Sequence, residues 1–238
     1  MINILLTRQL NGRQIEYARN LGLTPVIELA LEFQFPSYWD DVLKAITKYP
    51  RASWVFTSTN GVKAMARLLD AGLQVRQEQL CYAVGAKTQA ALQRLGIDAK
   101  KPSVFDGKHL AKQIIDDSQT DIVLHFHGNL SREEIVNKLE QANIDVVRLE
   151  VYKTIIHPVN LPAAPVEGIL FYSPSAVEGF ARGQGFDEIL PPLFAIGPTT
   201  ARALAGQTKQ QVIISPKADT KALLQTVADY LLRENNTS

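Results

Sequence analysis

Short apolar runs alternate, along the whole chain, with stretches whose apolar residues recur at helical spacing. That alternation predicts an α/β protein in which crossover helices cover parallel sheets. The runs that read as strands are Ile2–Leu6, Pro25–Leu29, Trp54–Thr57, Leu80–Val84, Ile122–Phe126, Val146–Val151, Ile169–Tyr172, Leu193–Ile196 and Val212–Ile214. A weaker one lies near Asp98–Lys101. Ser131-x-x-Glu134, at the head of "REEIVNKLEQA", predicts a capping box. Asp219 and Thr220 open a last amphipathic helix that runs towards Leu232. The tail, residues 234–238, is expected to fray.

The pattern also repeats. "WVFTSTNGVKAM" at 54–65 resembles "ILFYSPSAVEGF" at 169–180, an offset of 115. "YAVGAKTQAAL" at 82–92 resembles "FAIGPTTARAL" at 194–204, an offset of 112. "INILLTRQLNGRQI" has a looser partner in "IVLHFHGNLSREEI". The two halves carry strand–loop–helix units in the same order, the mark of a duplication. Two arrangements remain open. The halves can follow one another, meeting near residue 118. Alternatively, residues 1–32 join 156–238 around an inserted domain over 35–150, with 33–34 and 151–155 as linker strands. In that case "ALEFQF" and "EVYKTI" are neighbouring extended crossovers. Their alternating character suits exposed, paired linkers and favours the interleaved arrangement.

In open parallel sheets, ligands bind beyond the carboxyl ends of the strands. Thr57-Ser58-Thr59-Asn60-Gly61 follows one strand, and Ser173-Pro174-Ser175-Ala176 follows its repeat. Gly85-Ala86-Lys87-Thr88 and Gly197-Pro198-Thr199-Thr200 follow the next pair; Thr7-Arg8 and Gly128-Asn129 complete the set. Each turn offers backbone N–H groups and the positive end of a helix dipole, a means of holding a carboxylate or phosphate. Taken singly, each loop is explained by helix capping alone. Their pairing across a duplication points instead to a shared cleft for a polyanionic small molecule. Arg8 and Arg132 flank candidate loops and suit bidentate pairing with a carboxylate.

Other chemistry is thinly represented. No Walker loop, GxGxxG spacing or nucleophile elbow is present. His125 and His127 face the same side of a strand, but no nearby spacing supplies further ligands, so no metal is expected. His109 and His157 are isolated. Tyr152 lies on a proposed crossover and, by position alone, reads as a half-buried strand tyrosine.

Composition narrows the classes. Lys plus Arg number 25 against 24 Asp plus Glu, without the basic surplus of a nucleic-acid binder. Cys81 is the single cysteine and lies in the apolar run "LCYAVG", which reads as a buried thiol in a reducing compartment. "MINILLTRQ" lacks the basic region and cleavage site of a signal peptide, and no apolar run approaches the roughly 18 residues of a membrane span. A soluble cytoplasmic protein is expected, with neither nucleic acid nor membrane as partner.

"TR" at the first strand end, "VFTSTNGV", "AVGAKTQAAL", "GNLSREE", "EVYKT", "FYSPSAVEGF" and "AIGPTTARAL" together resemble the uroporphyrinogen-III synthase family over nearly the whole chain. Gln9 stands where many members have proline. The resemblance implies two similar parallel-sheet, flavodoxin-like domains joined by a two-stranded linker, one of them discontinuous. It also implies a reaction: hydroxymethylbilane, with its eight carboxylates, loses water and closes to uroporphyrinogen III with inversion of the last pyrrole ring. No metal or organic cofactor is implied, and transient contact with the preceding or following pathway enzyme is a further expectation. The tyrosine of the family's "VY.T" segment is Tyr152 here, expected to donate a proton to the departing hydroxyl. Substrate contacts are expected at Thr7, Arg8, Ser58, Thr59, Asn60, Gly61, Gly85, Thr88, Gly128, Asn129, Arg132, Ser173, Ser175, Ala176, Gly197, Thr199 and Thr200. A non-catalytic two-domain anion-binding protein, and a flavin protein using the Thr57–Gly61 loop for its phosphate, remain alternative readings.

Overall fold

The computed structural model of the chain describes residues 1–188 and 190–235. Its elements run β1 (Ile2–Leu6), α1 (Gly12–Asn20), β2 (Leu23–Ile27), β3 (Leu31–Gln34), α2 (Asp40–Lys48), β4 (Ser53–Phe56), α3 (Thr59–Asp70), β5 (Cys81–Ala83) and α4 (Ala86–Gln93). They continue with α5 (Gly107–Asp117), β6 (Ile122–Gly128), α6 (Glu134–Gln141), β7 (Asp145–Ile156), β8 (Gly168–Phe171), α7 (Pro174–Arg182), β9 (Leu193–Ala195), α8 (Pro198–Ala205), β10 (Val212–Ile214) and α9 (Thr220–Asn235). The chain is thus the mixed α/β protein that its hydrophobic pattern predicts.

Two compact units emerge: Met1–Glu32 with Ile155–Ser238, and Phe33–Thr154. The first holds a five-stranded sheet in the order β10-β9-β8-β1-β2, all of its pairs parallel. The second holds β3-β7-β6-β4-β5, with parallel pairing from β7 through β5. Lys100, in the segment read as a weak strand, makes a single parallel bridge to Tyr82 beyond β5. With that bridge counted, β8, β9 and β10 occupy in one sheet the places of β4, β5 and the Lys100 bridge in the other. The repeat in sequence is therefore a repeat in strand order.

Sheets covered by helices on both faces need strands apolar on both faces. β1, β4, β8 and β9 are buried almost throughout. In the first unit Ile4, Leu6, Leu170 and Phe194 pack with Leu223, Leu224 and Val227 of α9. Leu5, Ile169, Phe171 and Ala195 face the other way, onto Val177, Phe180 and Leu204. In the second unit Trp54, Phe56 and Phe126 pack on α3 through Val62, Met65 and Leu68, and Val55, Tyr82 and Val123 pack on α5 and α6. Pro25 is accommodated because β2 is an edge strand.

Helix starts follow side-chain capping where the sequence provides it. Asn11 and Gln14 form a reciprocal capping box at α1. Asp219 Oδ1 accepts from the Ala222 N–H at the start of α9. The box expected from Ser131 and Glu134 does not form: α6 begins at Glu134, and no side chain caps it. Ser131 instead closes the turn out of β6, its N–H donating to the Gly128 carbonyl at 3.0 Å, so the helix starts too late for the box. Glu234 and Asn235 extend α9, and the rest of the tail, 236–238, lies outside the described residues. Among the described residues no helix is long and apolar enough to cross a membrane.

Candidate functional site

At the carboxyl end of the second unit's sheet, the loops after β4, β5 and β6 surround a cavity of about 430 Å³. Thr57, Ser58, Val84, Leu130, Arg132 and Tyr152 are among the residues that line it, and the Phe105–Gly107 turn closes one side. The volume is within the range of small-molecule sites. Ser58 is the N-cap of α3, and its Oγ accepts from the Asn60 N–H at 3.1 Å. Thr57 Oγ1 lies 3.1 Å from His125 Nε2. Arg132 is exposed and has no ion-pair partner among the described residues, whereas nearby Arg148 is tied to Glu133 at 2.8 Å. The cavity also carries acid, in Glu134 and Asp106. Hydrogen bonds from the His109 backbone and ring hold the Asp106 carboxyl below its ordinary range.

Tyr152 owes its position to Gly128. The β6–β7 register shifts between His127 and Gly128, which brings Gly128 opposite Tyr152. A Cβ on Gly128 would lie 2.4 Å from two carbons of the Tyr152 ring, so only glycine leaves the ring room. The Phe33 and Phe35 rings stand 6.3 Å away, one edge-on and one tilted. Asn129 secures the loop beside it, accepting from the Thr154 N–H at 2.8 Å and donating to the Thr154 carbonyl at 3.3 Å. Gly128 and Asn129 therefore build the seat of Tyr152, a role that only the cross-strand register reveals.

In the first unit the equivalent strand ends differ. Thr7 is buried, and its hydroxyl donates to the Leu170 carbonyl at 2.9 Å, tying β1 to β8. Arg8 is exposed and lies over the Tyr172 ring, 4.9 Å from its centroid. Ser173 is the N-cap of α7, its Oγ accepting from the Ala176 N–H at 3.2 Å.

The turns that lead into α3, α4, α7 and α8 fall into two kinds. At α3 and α7 the cap hydroxyl and carbonyl occupy the N–H groups of Asn60, Gly61 and Ala176, leaving those of Thr59 and Ser175. Gly61 also lets α3 approach β6, since a Cβ there would meet the Phe126 carbonyl oxygen at 2.9 Å. At α4 and α8 the caps are Gly85 and Gly197, with no side-chain hydrogen bond. The N–H groups of Ala86, Lys87 and Thr88, and those of Thr199 and Thr200, thus meet no acceptor among the described residues. Thr88 and Thr200 are themselves buried, 4% and 3% exposed.

The Asp106–Gly107 turn is absent from the loops singled out by sequence. A signal existed: "FDGKHL" at 105–110 parallels "ADTKAL" at 218–223, and Asp106 caps α5 as Asp219 caps α9. Among the described residues no cluster of three or more His, Cys, Asp or Glu has the geometry of a metal site. Cys81 is buried, which pushes its thiol up to about 12.

Comparison with known proteins adds the family. The model for "HEM4: Uroporphyrinogen-III synthase HemD" matches residues 13–225. The uroporphyrinogen-III synthase of Saccharomyces cerevisiae is 28% identical over 174 residues, and the match spans 63% of that curated relative's length and 63% of this chain. A mutant uroporphyrinogen III synthase from Thermus thermophilus has a similar fold, with a TM-score of 0.70, 16% identity and coverage of 98% of this chain and 100% of that one. The uroporphyrinogen-III synthetase of Helicobacter pylori 26695 gives 0.67 at 20% identity, covering 97% and 100%.

Proposed function

The chain belongs to the uroporphyrinogen-III synthase family, and from that premise we propose that it converts hydroxymethylbilane to uroporphyrinogen III, with Tyr152 as proton donor. The bond that breaks first joins the terminal carbon of the bilane to its hydroxyl. Tyr152 gives its proton to that oxygen, water departs, and the electron-rich pyrrole is left as an azafulvene cation. The last ring attacks through its substituted carbon, and the resulting spiro intermediate fragments and recloses inverted. Loss of a ring proton restores the aromatic pyrrole, and its return to the Tyr152 phenolate closes the cycle with water as the only by-product. Without a protein the bilane closes uninverted, so the site must select a conformation as well as lower a barrier.

One observation carries the assignment of roles: Tyr152 lines a cavity that also holds Thr57, Ser58 and Arg132, donors suited to acetate and propionate side chains. The uncapped starts of α4 and α8 supply further N–H groups for carboxylates, one set in each unit. Arg8, Thr59 and Ser175 complete the proposed contacts. Gly128 and Asn129 act through Tyr152, while Thr7, Asn60, Gly61 and Ala176 shape the loops. A cytoplasmic location is in keeping with the buried, single Cys81.

The test is isomer analysis. Purified protein is given synthetic hydroxymethylbilane, the products are oxidised to porphyrins, and the type I and type III isomers are separated. An excess of type III is expected. Type I alone, formed at the spontaneous rate, would overturn the proposal.

A further inference from the structure

Behind the cavity lies His125, only 1% exposed, a polar residue in the middle of β6 to which the proposed chemistry gives no part. We infer that His125 is a positioning residue whose Nε2–H donates to Thr57 Oγ1, so that the Thr57 hydroxyl must give its own proton to a substrate carboxylate in the cavity. The inference rests on the reading of this cavity as a bilane site.

The two nitrogens of the ring meet different surroundings. Nε2 lies 3.1 Å from Thr57 Oγ1, whereas Nδ1 is buried with no partner among the described residues. Burial, with the charges of His127 and Arg148, drives the ring's pKa down to about 3, so the ring is neutral and carries a single N–H. If that hydrogen sat on Nδ1, a buried donor would be stranded. On Nε2 it is satisfied, and only an acceptor lone pair goes unused, the more tolerable vacancy. The neighbouring His127 ring stands 5.2 Å away, centroid to centroid, with its Nδ1 engaged by the Gly128 carbonyl at 2.9 Å, and it makes no hydrogen bond to His125 among the described residues.

Thr57 Oγ1 therefore accepts from within the fold, and its hydrogen has no acceptor there among the described residues. Ser58 is placed in the same way, its Oγ accepting from the Asn60 N–H. Two adjacent hydroxyls are thus turned into donors on one wall of the cavity, with Arg132 on the rim. A carboxylate, which only accepts, is the chemical class such a wall takes.

The duplication argues that His125 is not there for folding. Val55 pairs with His125, and its repeat Leu170 pairs with Leu6. In the first unit the place of His125 is thus filled by a fully buried leucine. The place of Thr57 is taken there by Tyr172, whose buried hydroxyl has no partner among the described residues. One half of the molecule builds the same strand end without the imidazole.

The test combines kinetics with spectroscopy on the full chain. Nitrogen-15 histidine spectra should show the 125 ring neutral at pH 7 with its proton on Nε2; a proton on Nδ1 would overturn the inference. Steady-state turnover to the type III isomer is then compared for wild type, His125→Phe, His125→Gln, Thr57→Val and the double variant His125→Phe/Thr57→Val. Loss of one oriented, charge-assisted hydrogen bond should raise KM by roughly tenfold in His125→Phe, with kcat within about twofold of wild type. Gln, whose amide reaches the same place as Nε2–H, should restore most of the affinity. The double variant should be no worse than Thr57→Val alone, because His125 acts through Thr57. Additive losses, or unchanged KM in both Thr57→Val and His125→Phe, would overturn the inference. Should His125→Phe fail to fold, Thr57→Val and His125→Gln still decide it. Absence of type III product from the wild type is a separate failure, that of the proposed function itself.

Discussion

Gly128 and Tyr152 form the tightest side-chain dependence at the candidate site, and they should fail together. Tyr152→Phe removes one hydroxyl while keeping the ring on its glycine and against Phe33 and Phe35. General acid assistance is typically worth about 10²–10⁴-fold, and the push of the substrate's own pyrroles places this case near the lower end. Single-turnover rates at saturating enzyme should fall by up to about 100-fold, with product affinity and unfolding midpoint unchanged. Gly128→Ala forces a Cβ to within 2.4 Å of the ring, so the tyrosine must move. Its rate should drop at least as far, with a stability loss of about 1–3 kcal/mol measured by denaturant unfolding. Gly12→Ala, with open space around the added methyl, is the control for substitution as such. A wild-type rate in Tyr152→Phe would return the residue to a packing role. The sequence places Tyr152 on its strand and Gly128 in its loop, yet gives no hint that they touch. Cross-strand contact depends on a register shift, and no local pattern records one. Thr7 is equally opaque: a hydroxyl at a strand end looks the same whether it faces a ligand or the Leu170 carbonyl.

Among elements, the helices capped by Gly85 and Gly197 leave more backbone donors bare than those capped by Ser58 and Ser173. Ser58 and Ser173 consume N–H groups of their own helices, while Gly85 and Gly197 leave them bare. The repeat itself suggests a variant that tests this. Pro198 follows Gly197 where Ala86 follows Gly85, and Gly85 is extended, with φ −175° and ψ 177°, as a residue before proline should be. Ala86→Pro therefore deletes one backbone donor while suiting the first helical position. Thermal unfolding should stay level or rise slightly, the change in stability being about 0.4–1 kcal/mol. The KM for hydroxymethylbilane should rise several-fold if that N–H holds a carboxylate; an unchanged KM would remove Ala86 from the site. Elements of this kind are legible because apolar runs, cap residues and repeats are local. β1 and β10 match their apolar runs to the residue, whereas the run Pro25–Leu29 forms β2 two residues earlier, because its start is set by pairing Ile2 with Leu23. The expected capping box at Ser131 fails for a related reason: the motif is present, but the turn from Gly128 claims its serine.

At the scale of the whole molecule the two units can be followed separately, because both tryptophans, Trp39 and Trp54, belong to Phe33–Thr154. Fluorescence thus reports that unit, and circular dichroism reports both. His125 lies in the same unit, with a folded pKa near 3 against an ordinary value of 6.5. Between those limits the unfolded chain binds a proton at His125 that the folded chain refuses. The stability that His125 confers as a neutral group is therefore complete above the unfolded value and is lost as pH falls. The slope is about 1.4 kcal/mol per pH unit. Denaturant unfolding from pH 6 to pH 4.5 stays largely above the range in which carboxylates such as Asp106 and Asp117, whose folded values are lowered, add their own losses. In that window the fluorescence-detected stability should fall with the stated slope. His125→Gln, which cannot titrate, should flatten it by the same amount. A wild-type slope as shallow as the variant's would mean that water or a neighbouring acceptor reaches Nδ1, and the tautomer that turns Thr57 towards its ligand would lose its physical basis.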